Sequence, residues 1–296
     1  MKKFLERIED GEVLVGDGAM GTMLMERGLK PGDPPESFNL THPEIVQEIA
    51  SLYLDAGADI IQTNTFGGSP LKLSFYGFEG KTEEINRNGV RAVRVAINDR
   101  AYISGSCGPS GKFLKPYGDI EPDEMYRNFE RQVRALIDAS VDIICIETMT
   151  DLHEITLAIE ATKTISPDTP VMATMTFDAT PRGFYTIMGV SIKDASRGLE
   201  RAGANIIGSN CGNGIENMIK IAKEFKQYTD LPIVIQSNAG IPEIHGTTTI
   251  YPETPDFTAK KARDLLSIGV SIIGGCCGTT PEHIKALRAM VDASHT

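Results

Sequence analysis

Three cysteines have the types and spacing of a metal site. Cys276 and Cys277 are adjacent inside Gly274-Gly275-Cys276-Cys277-Gly278-Thr279-Thr280-Pro281, and Cys211 lies upstream in Ser209-Asn210-Cys211-Gly212-Asn213-Gly214. Each stretch follows a short apolar run, so each thiol is expected where a strand ends. Three thiolates converging from two strand ends can hold one zinc ion and leave its fourth position open, as catalytic zinc sites do. Neighbouring residues on a regular strand face opposite sides, so both members of the pair reach one ion only if the backbone turns, which Gly274, Gly275 and Gly278 permit. Soft thiolates select zinc, and cytosolic thiols stay reduced. Three buried or redox-active thiols, or a strained bond between the neighbours, are the other readings of the same residues. Cys145, two residues before Glu147, reads as core packing, and Cys107, in Gly105-Ser106-Cys107-Gly108-Pro109, reads as a rim residue that is not a ligand.

Two carboxylates come next. Asp17 lies in Gly16-Asp17-Gly18-Ala19-Met20-Gly21-Thr22, where glycines let the backbone approach a small ligand, and Glu147 closes another apolar run. Asp17 as a turn former and Glu147 as a helix-capping acid are the plainer alternatives. Two acids at strand ends, with no arginine there, suit a substrate ammonium group and argue against a phosphate. Other polar residues close apolar runs in the same way: Thr63-Asn64-Thr65, Thr176, Asn210 and Ser237-Asn238. The histidines at 42, 153, 245, 283 and 295 have no H-x-x-x-H spacing, and no G-x-S-x-G elbow is present, which disfavours histidine-held metal and Ser-His-Asp hydrolysis. His42, His153 and His283 read as helix starts and His245 as a loop residue. Met20, Met23 and Met25 read as packing or pocket-lining residues.

The elements that position these residues alternate regularly. Apolar runs at Val13–Asp17, Asp59–Asn64, Ala101–Ser106, Asp142–Glu147, Pro170–Thr176, Asn205–Asn210, Pro232–Asn238 and Ser271–Gly275 predict strands. Segments of helical spacing follow them at Pro43–Ala56, Thr82–Asn98, Asp123–Ser140, Asp151–Ile165, Ser191–Ala202, Ile215–Tyr228, Asp256–Ile268 and Pro281–Ala293. Eight βα units predict one α/β domain over residues 1–296, a (β/α)8 TIM barrel whose site lies at the C-terminal ends of the strands. A doubly wound open sheet is the rival, but no phosphate-binding G-x-G-x-x-G follows the first strand. A weak repeat supports the barrel: Ala56-Gly57-Ala58-Asp59, Ala139-Ser140-Val141-Asp142, Ala202-Gly203-Ala204-Asn205 and Ile268-Gly269-Val270-Ser271 each lead into an even-numbered strand.

Composition narrows the function class. With 29 basic and 40 acidic residues among 296, the formal charge is −11, the wrong sign for a general nucleic-acid or anionic-membrane surface. No apolar stretch reaches the roughly 20 residues needed to span a bilayer. Met1–Arg7 reads as an amphipathic helix without a signal-peptide core, and five cysteines, two of them adjacent, do not form a disulfide framework. A cytoplasmic enzyme is expected.

Taken together, Asp17–Thr22, Thr63–Gly67, Ser209–Cys211, Ser237–Gly240 and Gly274–Pro281 resemble the homocysteine S-methyltransferase family. The likeness is nearest to the homocysteine-binding module of cobalamin-dependent methionine synthase, with the betaine and S-methylmethionine enzymes more distant, and it runs from Asp17 to His283. The resemblance implies a barrel with zinc on Cys211, Cys276 and Cys277. It places Asp17, Gly18 and Glu147 at the amino-acid end of homocysteine, with Asn210 and Thr65 as further substrate-binding residues. Asn238 matches a position that can fill the fourth zinc site before substrate arrives. The implied reaction is methylation of homocysteine to methionine, zinc keeping the thiol anionic. The full synthase carries folate, cobalamin and activation modules beyond this one, whereas the chain ends at Thr296. The expected donor is therefore methylcobalamin or another corrinoid on a separate partner protein, which the sequence around Thr63–Gly67 favours. A small donor (S-methylmethionine or betaine), another thiol acceptor, and a non-catalytic zinc-holding module of a methyl-transfer complex are the alternatives.

Overall fold

In the computed structural model, which describes residues 2–245 and 248–294, the apolar runs form eight parallel strands. These are β1 (Leu14–Val15), β2 (Ile60–Gln62), β3 (Tyr102–Cys107), β4 (Ile143–Met149), β5 (Val171–Met175), β6 (Ile206–Asn210), β7 (Ile233–Ser237) and β8 (Ile272–Gly275). Consecutive strands pair in parallel from β2 round to β8, and β8 pairs with β1. The ring closes between β1 and β2, where Asp59 N–H donates to Val15 O at 2.7 Å and Asp17 N–H to Ile60 O at 3.0 Å. Helices α1 (Pro43–Asp55), α2 (Thr82–Ile97), α3 (Pro122–Asp138), α4 (Leu152–Ile165), α5 (Ile192–Ala202), α6 (Ile215–Phe225), α7 (Pro255–Ile268) and α8 (Pro281–Asp292) follow the strands in turn. This is the expected (β/α)8 barrel.

Alternation along the strands divides the core in two. Leu14, Ile60, Tyr102, Ile143, Met172, Ile206, Val234 and Ile272, one from each strand, form an interior layer that also holds Cys145. Burying a side chain of this size contributes about 1.5–3 kcal/mol. The larger layer lies between strands and helices and includes Val15, Ile61, Ile103, Ile144, Ala173, Ile207, Ile235 and Ile273. A helix at Phe4–Glu9 plugs the N-terminal end of the barrel with Phe4 and Ile8. It begins later than the Met1–Arg7 reading, and Met1, like His295, lies outside the described residues. Arg7 and Arg288 each meet the Asp59 carboxylate at 3.0 Å, tying that helix and α8 to the foot of β2.

The repeat has a physical cause. Its second position, Gly57, Ser140, Gly203 or Gly269, ends a helix in the left-handed conformation, with φ between +67° and +97°. Its fourth position closes the foot of the neighbouring odd strand: Asp59 Oδ2 accepts from Val15 N–H at 2.9 Å, Asp142 Oδ2 from Ile103 N–H at 2.8 Å, and Asn205 Oδ1 from Val171 N–H at 2.9 Å.

Three local features differ from the sequence reading. Strand β4 runs on to Met149 instead of ending at Glu147, because its register against β5 shifts between Ile146 and Met149. Two short hairpins, Asp178–Thr180 with Gly183–Tyr185 and Glu243–His245 with Thr248–Ile250, follow β5 and β7; His245 is thus in a strand, not a loop. Three-residue polar strands carry too little alternation to stand out. Among the described residues no helix is long and apolar enough to cross a membrane.

Candidate active site

The C-terminal ends of β6 and β8 bring the three cysteines together. Cys211 follows β6 with φ +60°, an uncommon left-handed conformation for a residue with a side chain. After β8 the backbone leaves the sheet: Cys276 N–H donates to Ser237 O at 2.7 Å, and Cys276 O accepts from Thr279 N–H at 3.1 Å and Thr279 Oγ1–H at 2.7 Å. Gly278 has φ +76°, and a Cβ there would lie 2.1 Å from Tyr251 Cγ, so only glycine completes this turn. The ligand-capable atoms of Cys211, Cys276 and Cys277 lie within 4.8 Å of one another, with Cys211 Sγ and Cys277 Sγ 3.8 Å apart. Tetrahedral ligands at a Zn–S distance near 2.3 Å stand about 3.8 Å apart, whereas a disulfide brings sulfurs to about 2.05 Å. The spacing is that of ligands to a shared ion. Hydrogen bonds from Cys211, then Cys276, and one from Tyr251 hold Cys277 well below the usual thiol range, while Cys276 is pushed well up by Cys211, then Cys277, and by burial. Cys145 and Cys107, both buried, belong to the interior and outer core layers instead.

The two predicted acids are buried beside this cluster. Asp17 is 2% exposed and its Oδ2 accepts from Gln62 N–H at 2.8 Å. Burial pushes it up to about 8, the charge of Glu147 adding to the effect. Glu147 is 6% exposed and accepts from Ser106 Oγ–H at 2.5 Å and Asn210 Nδ2–H at 3.1 Å. Burial raises it to about 7 against the Ser106 hydrogen bond.

A cavity of about 400 Å³ opens over the cluster. Of the predicted site residues, Gly18, Glu147, Cys211, Cys276 and Cys277 line it; Asp17, Asn210, Asn238 and Thr65 stand behind the lining. Thr65 Oγ1 donates to Ser106 O at 2.8 Å and meets Thr63 Oγ1 at 2.6 Å. Asn238 is 4% exposed, and its Oδ1 has no hydrogen-bond partner among the described residues. The donor set suits zinc: three soft sulfurs within 4.8 Å of one another, one pair at tetrahedral separation, with a buried amide oxygen on the adjoining strand end that has no partner among the described residues.

Several lining residues were not singled out from sequence, Glu36, Lys72, Tyr76 and Tyr251 among them, whereas Phe66 lies in the Thr63–Gly67 stretch and Thr148 beside Glu147 at the end of its apolar run. Glu36 is buried and accepts from Gly67 N–H at 2.5 Å. It sits in the long connection between β1 and α1, where no periodicity marks a facing side chain. The nearest sequence signal was Thr63–Gly67, which supplies its partner.

Comparison with known proteins agrees with this geometry. The homocysteine S-methyltransferase family profile matches residues 14–291. Methionine synthase of Mycobacterium leprae is 31% identical over 298 residues, covering 94% of this chain and 24% of its own length. That of Mycobacterium tuberculosis is 30% identical over 296 residues with the same coverage. The chain thus spans about a quarter of the length of these curated relatives. Among solved structures, the metallated form of the homocysteine methyltransferase MmuM from Escherichia coli superposes with a TM-score of 0.80 at 23% identity, covering 96% of this chain and 98% of that one; it shows the same fold. From the thiol turn at the barrel mouth to the profile that spans nearly all its strands and helices, the chain belongs to the homocysteine S-methyltransferase family.

Proposed function

We propose that this barrel, as one domain over residues 1–296, methylates homocysteine on sulfur to give methionine, with zinc held by Cys211, Cys276 and Cys277. The observation that carries this reading is the set of three sulfurs within 4.8 Å of one another, opening on a cavity that shares its wall with a buried carboxylate. Zinc bound there supplies a Lewis acid that keeps an incoming thiol, ordinarily protonated below about 8.5, in its nucleophilic anionic form.

The chain's own residues supply position. Glu147 meets the substrate ammonium from the cavity wall, Asp17 adds its charge from behind that wall, and the Gly18 backbone lies open to the amino-acid end. Fixing the amine aims the sulfur at the donor methyl, which is an orientation effect. Ser106 orients Glu147, and Thr65 holds the Ser106 carbonyl, so Thr65 serves the substrate through this relay. Asn238 Oδ1 is the candidate fourth ligand before substrate binds. No base on the protein is needed during transfer.

For the donor, the methionine synthase relatives support a corrinoid, methylcobalamin, carried by a protein partner that reaches the open mouth. A small cationic donor is a second reading, favoured by Glu36 and the Phe66 and Tyr76 rings on the cavity lining and opposed by Lys72 on the same lining. Methionine formation from homocysteine with methylcobalamin, S-methylmethionine or betaine tests both readings. The proposal expects turnover with the corrinoid that disappears in Cys276→Ser; turnover with none of the three, before and after adding a methylated corrinoid protein, would refute it.

A further inference from the structure

Asn210, the last residue of β6, is fully buried, and its side-chain amide is surrounded by polar partners. Its Oδ1 accepts from Thr148 N–H and from Thr174 Oγ1–H, each at 2.8 Å. Its Nδ2 donates to Glu147 Oε2 at 3.1 Å and to Thr148 Oγ1 at 2.8 Å, and faces Cys276 Sγ at 3.9 Å. A carboxamide has two acceptor and two donor positions, so nothing is left over for a substrate. Its orientation is fixed as well. Exchanging O and N would set an oxygen against the Glu147 carboxylate and an N–H against the Thr148 N–H.

Two backbone features converge on this one side chain. Thr148, which follows Glu147 in the irregular part of β4, has φ +60°, a rare conformation for a β-branched residue. Such conformations persist only where the surroundings hold them, and Asn210 grips Thr148 at both its N–H and its hydroxyl. Cys211, next in the chain, also has φ +60°. The same amide therefore stands between the residue that aims Glu147 and the residue that carries a sulfur ligand.

We infer that Asn210 is a positioning residue, a strut that sets the span between the Glu147 carboxylate and the sulfur cluster and thereby selects the chain length of the amino thiol. This rests on the homocysteine reading and deepens it. An amino thiol one methylene shorter cannot place its amine on Glu147 and its sulfur at the cluster together while that span is fixed. The carboxylate end and the sulfur end act as one unit, so substitutions at Asn210 and Glu147 should not add.

The test titrates homocysteine and cysteine onto the zinc-loaded wild type, Asn210→Asp, Glu147→Gln, the double variant and Thr174→Val, reading proton release on thiol binding. Zinc affinity is measured separately by competition with a chromophoric chelator. Asn210→Asp keeps the shape and the acceptor but turns the donor into a second anion beside Glu147 and Cys276. It is expected to weaken homocysteine binding about tenfold or more, to shrink the preference for homocysteine over cysteine, and to weaken zinc about tenfold, as loss of a hydrogen bond behind a ligand does. The double variant should bind homocysteine no worse than Glu147→Gln, and Thr174→Val, which removes one of the bonds to the Asn210 oxygen, should shrink the preference less than Asn210→Asp does. Unchanged selectivity in Asn210→Asp, or losses that add in the double variant, would overturn the inference. If Asn210→Asp fails to fold by circular dichroism, Thr148→Gly replaces it, since glycine drops the hydroxyl contact and needs no grip on its backbone; unchanged selectivity there overturns the inference equally. A wild type that takes up zinc but releases no proton with homocysteine refutes the proposed function instead. The strut is then judged on zinc alone, and unchanged affinity in Asn210→Asp sinks it.

Discussion

Cys211 and Cys277 are separated by 66 positions in the chain, yet their sulfurs stand 3.8 Å apart at the mouth of the barrel. They come from β6 and β8, and β7 between them contributes the Ser237 carbonyl that anchors Cys276. Replacing any one of the three cysteines by serine removes a soft ligand and should lower zinc affinity by roughly a hundredfold or more, since even changes behind a ligand cost 10–100-fold. Elemental analysis after dialysis against a weak chelator reads this directly. Full zinc retention in all three variants would remove the basis of the site.

Removing the metal should leave the barrel standing. The two core layers draw on every strand and helix, whereas the cysteines sit beyond the strand ends. Chelation is expected to abolish zinc-dependent thiol binding with less than about a tenth of the helical circular dichroism lost, unlike domains whose fold depends on the ion. Cooperative unfolding on chelation would contradict this.

The buried Asp17 gives a pH dependence whose direction follows from its shift. Its carboxyl is raised from 3.8 to about 8 by burial, so the folded state binds the proton more tightly than the unfolded chain. That contribution to stability is complete below pH 3.8 and is lost as pH rises towards 8. Asp17→Asn should flatten this part of the profile of substrate-free protein, measured as urea midpoint against pH; a slope unchanged by the substitution would argue against the burial effect.

Glu147→Gln keeps the hydrogen-bonded shape but removes the charge that meets an ammonium. A charge-assisted hydrogen bond contributes about 1.5–3 kcal/mol, so KM for homocysteine should rise roughly ten- to hundredfold with a smaller change in kcat. Equal losses in kcat and kcat/KM would assign Glu147 to the methyl-transfer step instead.

Gly278→Ala tests the turn after the paired cysteines. The added Cβ would lie 2.1 Å from Tyr251 Cγ at a residue with φ +76°. A cost of about 1–3 kcal/mol in stability is expected, with Tyr251 displaced from Cys277 and zinc bound more weakly. An alanine variant with unchanged melting and zinc affinity would show that the tyrosine yields freely.

Much of this molecule was legible from spacing. The eight strand–helix alternations and the turn after Cys277 follow from apolar runs and glycines, because burial and left-handed backbone restrict which residues can serve. The Ala-Gly-Ala-Asp repeat marked strand beginnings for a reason the sequence did not reveal, namely the bonds from Asp59, Asp142 and Asn205 to neighbouring strands. Glu36, Tyr251 and the relay through Ser106 were invisible. Their roles depend on which loops the closed ring brings face to face, and one residue in a long connection carries no periodicity to show it. The irregularity of β4 escaped for a similar reason: Glu147-Thr148 looks like an ordinary strand end, and only Asn210 across the sheet holds it otherwise.

Arg7 and Arg288, from the first and last helices, both clasp Asp59 at the foot of β2. Both described extremities of the polypeptide are thereby moored on the side of the molecule away from the thiols. A dye, bead or sensor chip coupled near Phe4 or Asp292 would leave the reactive face pointing outward, unobstructed for whatever delivers the methyl group.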